Sequence, residues 1–98
     1  MNSEKILSLL GFAAKAGKLS FGTHATTFSI ESGKAKLVLA AEDISEKSVK
    51  ELRFKADKQN IKVLILEGIE TVTLSKKVGK NCGIVAVNDS GFADAMNN

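Results

Sequence analysis

Glu42 and Asp43 are the only adjacent pair of carboxylates in the chain, and they directly follow an apolar run at residues 37–41. Acids at the C-terminal end of a strand stand where α/β proteins gather functional groups, and such a pair could hold a metal or move a proton. The rest of the sequence does not complete either use. His24 is the sole histidine, Cys82 the sole cysteine, and no His/Cys spacing or second acidic cluster joins them. The favoured reading is electrostatic: the two acids precede a helix expected from Ser45 and stabilise its positive N-terminal end. Cys82 has no neighbouring histidine to activate it, so it reads as a small buried or loop residue rather than a nucleophile. Lacking a second cysteine, it forms no internal disulfide, which fits a reducing, cytoplasmic setting. Gly17 and Gly22 reproduce the gap of a phosphate-binding loop. However, Thr23 stands where the phosphate-binding lysine belongs and His24 where a Ser/Thr would hold magnesium. No Ser/His/Asp order, CxxC pair or dinucleotide fingerprint appears. The residues imply a binding protein with no cofactor and no metal, not an enzyme.

The elements that must position these residues follow from periodicity. At residues 4–16, Ile6, Leu7, Leu10, Ala13 and Ala14 form one helical stripe, with Ser3 as candidate cap and Gly17 as terminator. A short extended piece at 18–21 leads to a second helix, capped by Thr23 and stopped by Gly33. The continuous apolar runs at 37–41, 63–66 and 84–87 are expected as strands buried on both faces. Ser45 caps a third helix in which Val49, Leu52 and Ala56 share a face. Thr71 or Thr73 opens a fourth helix ending at Gly79, and Ser90 caps a last helical turn. This alternation predicts an α/β fold: a three-layer α/β/α sandwich around a mixed sheet of about four strands. The 98 residues are expected to make a single domain, and their 44% hydrophobic content suffices for a core. No apolar run approaches the ~18 residues of a membrane span, and no signal-peptide pattern opens the chain.

The second helix contains a conflict. Phe28 and Ile30 lie about 160° apart on a helix turning ~100° per residue, so both cannot face one core. With Ile30 and Thr27 inward, His24, Ala25, Phe28 and Ser32 form an outward face. It begins at the helix N-terminus, where free N–H groups favour anions and an exposed aromatic can stack on an unpaired base. The reverse orientation buries Phe28, and periodicity does not choose between them. Charge adds a mild indication. The net charge is +3, and all 14 basic side chains fall within the first 80 residues. This permits a polyanionic partner without demanding one.

The run from Gly22 to Gly33, followed by Lys34-Ala35-Lys36-Leu37-Val38-Leu39-Ala40-Ala41-Glu42-Asp43, carries a resemblance. It is similar to the kink-turn RNA-binding ribosomal protein family, the archaeal large-subunit "L-seven-Ae" type. Within it the chain looks most like the short bacterial YlxQ-type branch. The blocks Leu10-Gly11-Phe12-Ala13-Ala14-Lys15-Ala16-Gly17-Lys18-Leu19, Val78-Gly79-Lys80 and Val87-Asn88-Asp89-Ser90-Gly91-Phe92-Ala93 extend the likeness over nearly the whole chain. The resemblance implies an α/β/α sandwich whose second-helix N-terminus grips the sheared G·A pairs of a kink-turn. The family pattern there is Gly-Thr-Asn-Glu, with Lys and Arg further along. This sequence keeps Gly22, Thr23 and Thr27 and departs at His24, Ala25, Phe28 and Ser32. Those departures are the outward face described above, so the resemblance implies Ile30 inside and Phe28 outside.

By position, the resemblance implies a second contact zone at Glu42, Asp43 and Ile44 and in the loop holding Lys80, Cys82, Gly83 and Ile84, which meets a flipped-out nucleotide. Lys34 and Lys36 are candidates for phosphate contact, as are Lys15, Lys18 and Lys80. The candidate RNA-binding set is therefore Gly22, Thr23, His24, Thr27, Phe28, Lys34, Lys36, Glu42, Asp43, Ile44, Lys80, Cys82, Gly83 and Ile84. The expected partner is a structured RNA, with ribosomal RNA among the candidates and no membrane, bound by a protein that is monomeric when free. The alternative is a protein-interaction module on the same fold, its RNA face turned into an apolar patch of Ala25, Phe28 and Cys82.

Overall fold

The computed structural model describes residues 3–97. Along the chain run α1 (Ser3–Lys15), β1 (Leu19–Phe21), α2 (Gly22–Glu31), β2 (Leu37–Ala41), α3 (Glu46–Asp57), β3 (Val63–Leu66), α4 (Thr71–Val78), β4 (Ile84–Val87) and α5 (Ser90–Met96). The four strands form one sheet in the order β1-β4-β2-β3. β2 and β3 pair in parallel through Val38↔Val63 to Ala41↔Leu66. β4 runs antiparallel to both its neighbours, β2 and β1. This is the mixed sheet expected from the sequence.

Alternation along the two central strands divides the core. Leu37, Leu39, Ala41, Val85 and Val87 point to one face and pack with Ile6, Leu10 and Ala13 of α1, Leu74 and Val78 of α4, and Ala93 and Met96 of α5. Val38, Ala40, Ile84 and Ala86 point to the other face, against Ile30 of α2 and Leu52 and Ala56 of α3. Every residue of β2 and β4 is buried. Such strands need apolar side chains at both parities, which is why they read as uninterrupted hydrophobic runs.

The caps differ in part from expectation. Ser45 caps α3, its Oγ accepting from the Ser48 N–H at 3.2 Å. Ser90 does not cap α5: it is the first helical residue, and the Asp89 carboxylate accepts the Phe92 N–H at 2.9 Å. Ser3 is itself helical, so the position that would cap α1 lies outside the described residues. Thr23 does not cap α2 either. The strand β1 passes into α2 with no loop, the cap position falls on extended Phe21, and no side chain caps the helix. That junction depends on Gly22, whose φ of +87° reverses the chain in a region that disfavours side chains. Among the described residues, no side chain caps the N-terminal N–H groups of α2.

Candidate nucleic-acid interface

The orientation of α2 resolves the conflict between Phe28 and Ile30. Ile30 is fully buried among Val38, Ala40, Leu52 and Ala86, while Phe28 is 64% exposed. His24, Ala25 and Ser32 are exposed beside it, so the four form one solvent-facing row along the helix. Thr27 is half-buried, as expected of a residue turned toward the sheet. The inward face also holds two residues the sequence did not single out, the fully buried Thr26 and nearly buried Ser29. Ser29 joins a polar cluster: its hydroxyl lies 2.6 Å from that of Ser20, which accepts from the Asn88 side-chain amide at 2.9 Å. Among the described residues, the Thr26 hydroxyl has no hydrogen-bond partner.

Three loops collect at the end of the sheet where α2 begins. The Ala41 N–H donates to the Gly83 carbonyl and the Glu42 N–H to the Ile69 carbonyl, each at 2.8 Å. The acidic pair secures this corner. Glu42 accepts the Gly68 N–H at 3.0 Å, and one oxygen of Asp43 accepts both the Thr71 N–H at 2.9 Å and the Thr71 hydroxyl at 2.7 Å. The Thr71 hydroxyl, and after it the backbone N–H, hold the Asp43 carboxyl below its ordinary pKa. The expectation that these acids serve the helix following them is thus corrected: Asp43 caps the start of α4, not α3. No local periodicity could reveal a partner 28 residues away.

Gly83 lies at the tightest point. A Cβ there would meet Ile44 and Thr71 side-chain atoms at 2.5 and 2.6 Å. Ile44 is half-buried and bridges the two core clusters. Cys82 and Ile84 belong to the core, with 7% and 4% exposure. Burial raises the Cys82 thiol pKa, and the Cys82 backbone N–H and carbonyl are both bonded to the Ser75 hydroxyl. At these two positions the side chains support the loop from beneath, and the loop's outer surface is formed by Lys80, Asn81 and Gly83. The Lys80 ammonium lies 5.9 Å from the ring of Phe21, the residue preceding α2. Between α2 and α3, Thr23, Thr27 and Ile84 line a cleft of about 40 Å³. That is room for little more than one water molecule, so a ligand here must lie on the surface.

Lys34 and Lys36 do not join this group. The Lys36 N–H pairs with the Val87 carbonyl at the opposite end of the sheet. The six-residue advance from Lys36 to Glu42 along β2 carries the chain roughly 20 Å. Lys18 also lies at that far end, where its carbonyl accepts the Asn88 N–H. The structure therefore gathers Gly22, Thr23, His24, Thr27, Phe28, Glu42, Asp43, Ile44, Lys80 and Gly83 around one end and one helix face, and sets Lys34 and Lys36 apart. Among the described residues no group of three or more His, Cys, Asp or Glu side chains is placed to hold a metal ion. No helix among them is long and apolar enough to cross a membrane.

The α/β/α sandwich defines a class of fold shared with known proteins. The model of the ribosomal protein L7Ae/L30e/S12e/Gadd45 family matches residues 4–97, and the chain belongs to that family. It is 33% identical over 92 residues to the RNA-binding protein YlxQ of Enterococcus faecium, covering 94% of this chain and 87% of that one. It is also 33% identical over 94 residues to the large ribosomal subunit protein eL8 of Haloquadratum walsbyi, covering 95% and 78%. Among solved structures, a protein of unknown function from Bacillus halodurans superposes with a TM-score of 0.88 at 29% identity, covering 95% of this chain and 93% of that one. The Giardia lamblia 15.5kD RNA binding protein superposes with a TM-score of 0.80 over 97% and 81%, and at 17% identity it speaks for the fold alone.

Proposed function

We propose that this chain is a non-catalytic RNA-binding protein, cytoplasmic and ribosome-associated, that recognises a structured RNA of kink-turn type. The observation that carries the reading is the row His24, Ala25, Phe28 and Ser32, exposed on a helix whose N-terminal N–H groups lack a side-chain cap. Relatives named as an RNA-binding protein and as a ribosomal subunit protein support it. On this reading the N-terminus of α2 at Gly22 and Thr23 faces the phosphodiester backbone, where N–H groups and the helix dipole favour negative charge. His24 and Thr27 offer hydrogen bonds, and the exposed Phe28 ring offers a stacking surface for an unpaired base. Loop 42–44 and the outer surface of the loop at Lys80 and Gly83 flank the same end. Cys82 and Ile84 act by shaping that loop. Lys34 and Lys36 contact phosphates only of an RNA that extends along the whole of α2.

The departures at His24, Ala25, Phe28 and Ser32 change the chemistry of this face. Ala25 cannot accept or donate a hydrogen bond, and Phe28 replaces a cation with an aromatic ring. Recognition then rests more on shape and stacking than on polar contacts with purine edges. The test is a titration against a kink-turn RNA and a control with both G·A pairs replaced, at two salt concentrations. Tight binding that the control loses, weakening with salt, is the expected result. Equal binding to both RNAs would remove the kink-turn from the reading. The exposed Phe28 beside Ala25 also favours a second reading, a protein-docking face. Absence of RNA binding, with salt-insensitive capture of a protein partner lost in Phe28→Ala, would favour it.

A further inference from the structure

On the face of the sheet opposite α2, helices α1 and α4 leave an open groove of about 520 Å³ between them. Its lining includes Gly11, Phe12, Lys15, Lys76, Lys77 and Gly79, and no residue of the lining is acidic. Phe12, in the last turn of α1, is 63% exposed and lines this groove rather than the core. Gly11 gives the groove its form: a Cβ there would come within 2.9 Å of Lys77 Cε, so the stem of Lys77 lies directly across the helix. A mid-helix glycine costs about 1 kcal/mol against alanine, and here its missing side chain is the space Lys77 occupies. Three lysines and an exposed aromatic ring share this lining with no acidic residue, which matches what a single-stranded nucleic acid needs: cations for phosphates and a flat apolar face for a base.

The groove also continues toward the end of the sheet described above. Gly79 in its lining is followed by Lys80, whose ammonium lies 5.9 Å from the ring of Phe21, and Phe21 leads directly into α2. The whole molecule spans only 28 × 28 × 23 Å, so one RNA can reach both surfaces around the β1 edge. We propose that the α1–α4 groove is a second RNA-binding surface, for an unpaired segment of the RNA held at α2, with Phe12 stacking on a base and Lys15, Lys76 and Lys77 holding phosphates. This rests on the RNA-binding reading for the claim that one RNA occupies both surfaces, but the groove can be tested without it.

The experiment compares wild type, Phe12→Ala and the double variant K76Q/K77Q against four probes: a structured RNA, the same RNA carrying a single-stranded extension, a short oligouridylate alone, and an acidic peptide. The extension is expected to tighten wild-type binding by about 5- to 150-fold, the range that stacking of one base spans. Both variants are expected to lose that gain while binding the unextended RNA as wild type does, with unchanged thermal unfolding. No gain in wild type, or a gain that persists in Phe12→Ala, overturns the proposal. If wild type ignores the structured RNA, the α2 reading falls and the oligouridylate decides for the groove alone. Salt-sensitive binding that Phe12→Ala loses supports the groove, and no binding by wild type overturns it. An acidic peptide that binds as tightly as the oligouridylate, indifferent to Phe12→Ala, would reassign the groove to a protein partner and also overturn the proposal.

Discussion

Truncating Ile30 and Phe28 separately tests both the setting of α2 and the use of its outer face. Ile30 has no exposed surface and fills the space between α2, the sheet and Leu52 of α3. Ile30→Ala removes buried methyl and methylene groups from a packed core, a change that costs about 2–5 kcal/mol. For a domain of this size each kcal/mol is worth about 4–8 °C in melting temperature, so a fall of roughly 8 °C or more is expected. Phe28 leaves 64% of its surface in water, and alanine is the better helix former. Phe28→Ala should therefore stay within about 0.5 kcal/mol of wild type. RNA affinity should show the opposite ranking. Loss of a stacking ring costs about 1–3 kcal/mol per base, or about 5- to 150-fold in Kd. Circular dichroism melts and an RNA titration on both variants make the comparison, with Ile30→Ala titrated well below its own transition. If Phe28→Ala lowers the melting temperature as much as Ile30→Ala, the helix is turned the other way and the outward row does not exist. If it melts like wild type and binds RNA like wild type, the row exists and is not the contact surface.

Three further perturbations probe the surrounding framework. Thr26→Val replaces a fully buried hydroxyl that has no partner among the described residues with a methyl of similar shape, and is expected to stabilise by about 1 kcal/mol, read as a melting rise of about 4–8 °C; a fall would show that the hydroxyl is bonded in solution. Gly83→Ala forces a Cβ into Ile44 and Thr71 and should cost about 1–3 kcal/mol, whereas unchanged urea unfolding would mean that the corner yields freely. Asp43 has a carboxyl pKa lowered by Thr71, so its stabilising effect is complete above the ordinary carboxylate value and is lost as pH falls through the lowered folded-state value. Wild type should accordingly exceed Asp43→Asn in urea midpoint at neutral pH and lose that advantage on acidification, and an advantage that grows with acid would contradict the sign.

Three strands were legible to the residue in the sequence, at Leu37–Ala41, Val63–Leu66 and Ile84–Val87. Their legibility has a physical source: β2 and β4 are covered on both faces and have no polar parity to blur their ends, and β3 is apolar throughout although Leu64 and Ile65 are only half-buried, short of the full burial expected for it. The second helix was harder to read because its inward face is not purely apolar. Thr26 and Ser29 point into the protein beside Ile30, so hydrophobic spacing alone gave equal support to either setting of the helix. The acidic pair was located correctly and its partner was not, since Asp43 reaches across to the first turn of α4 rather than along its own chain. Lys34 and Lys36 stand apart from the other candidates for the reverse reason. They are near α2 in sequence, but at its C-terminal end, and a ten-residue helix carries them about 15 Å from Gly22. Cys82 and Ile84 are buried, as a small buried cysteine and a strand residue should be, so any contact that the resemblance implies for them falls to the loop surface they support.

The four departures from the family pattern can now be weighed against what the fold requires. His24, Ala25, Phe28 and Ser32 are all exposed, and all lie on the side of α2 turned away from the sheet. The residues that set the helix in place lie elsewhere: Gly22 with its positive φ at the strand junction, Thr26 and Ser29 beneath the helix, and Ile30 in the core. A substitution on the outer row changes helix propensity by tenths of a kcal/mol and breaks no packing, so the fold places almost no restriction on what stands there. In this chain the α/β/α frame and the chemistry of the outer row are therefore separable. An imidazole, a methyl, a phenyl ring and a hydroxyl can stand where the resemblance implies an amide, a carboxylate and two cations, while the scaffold beneath them stays intact.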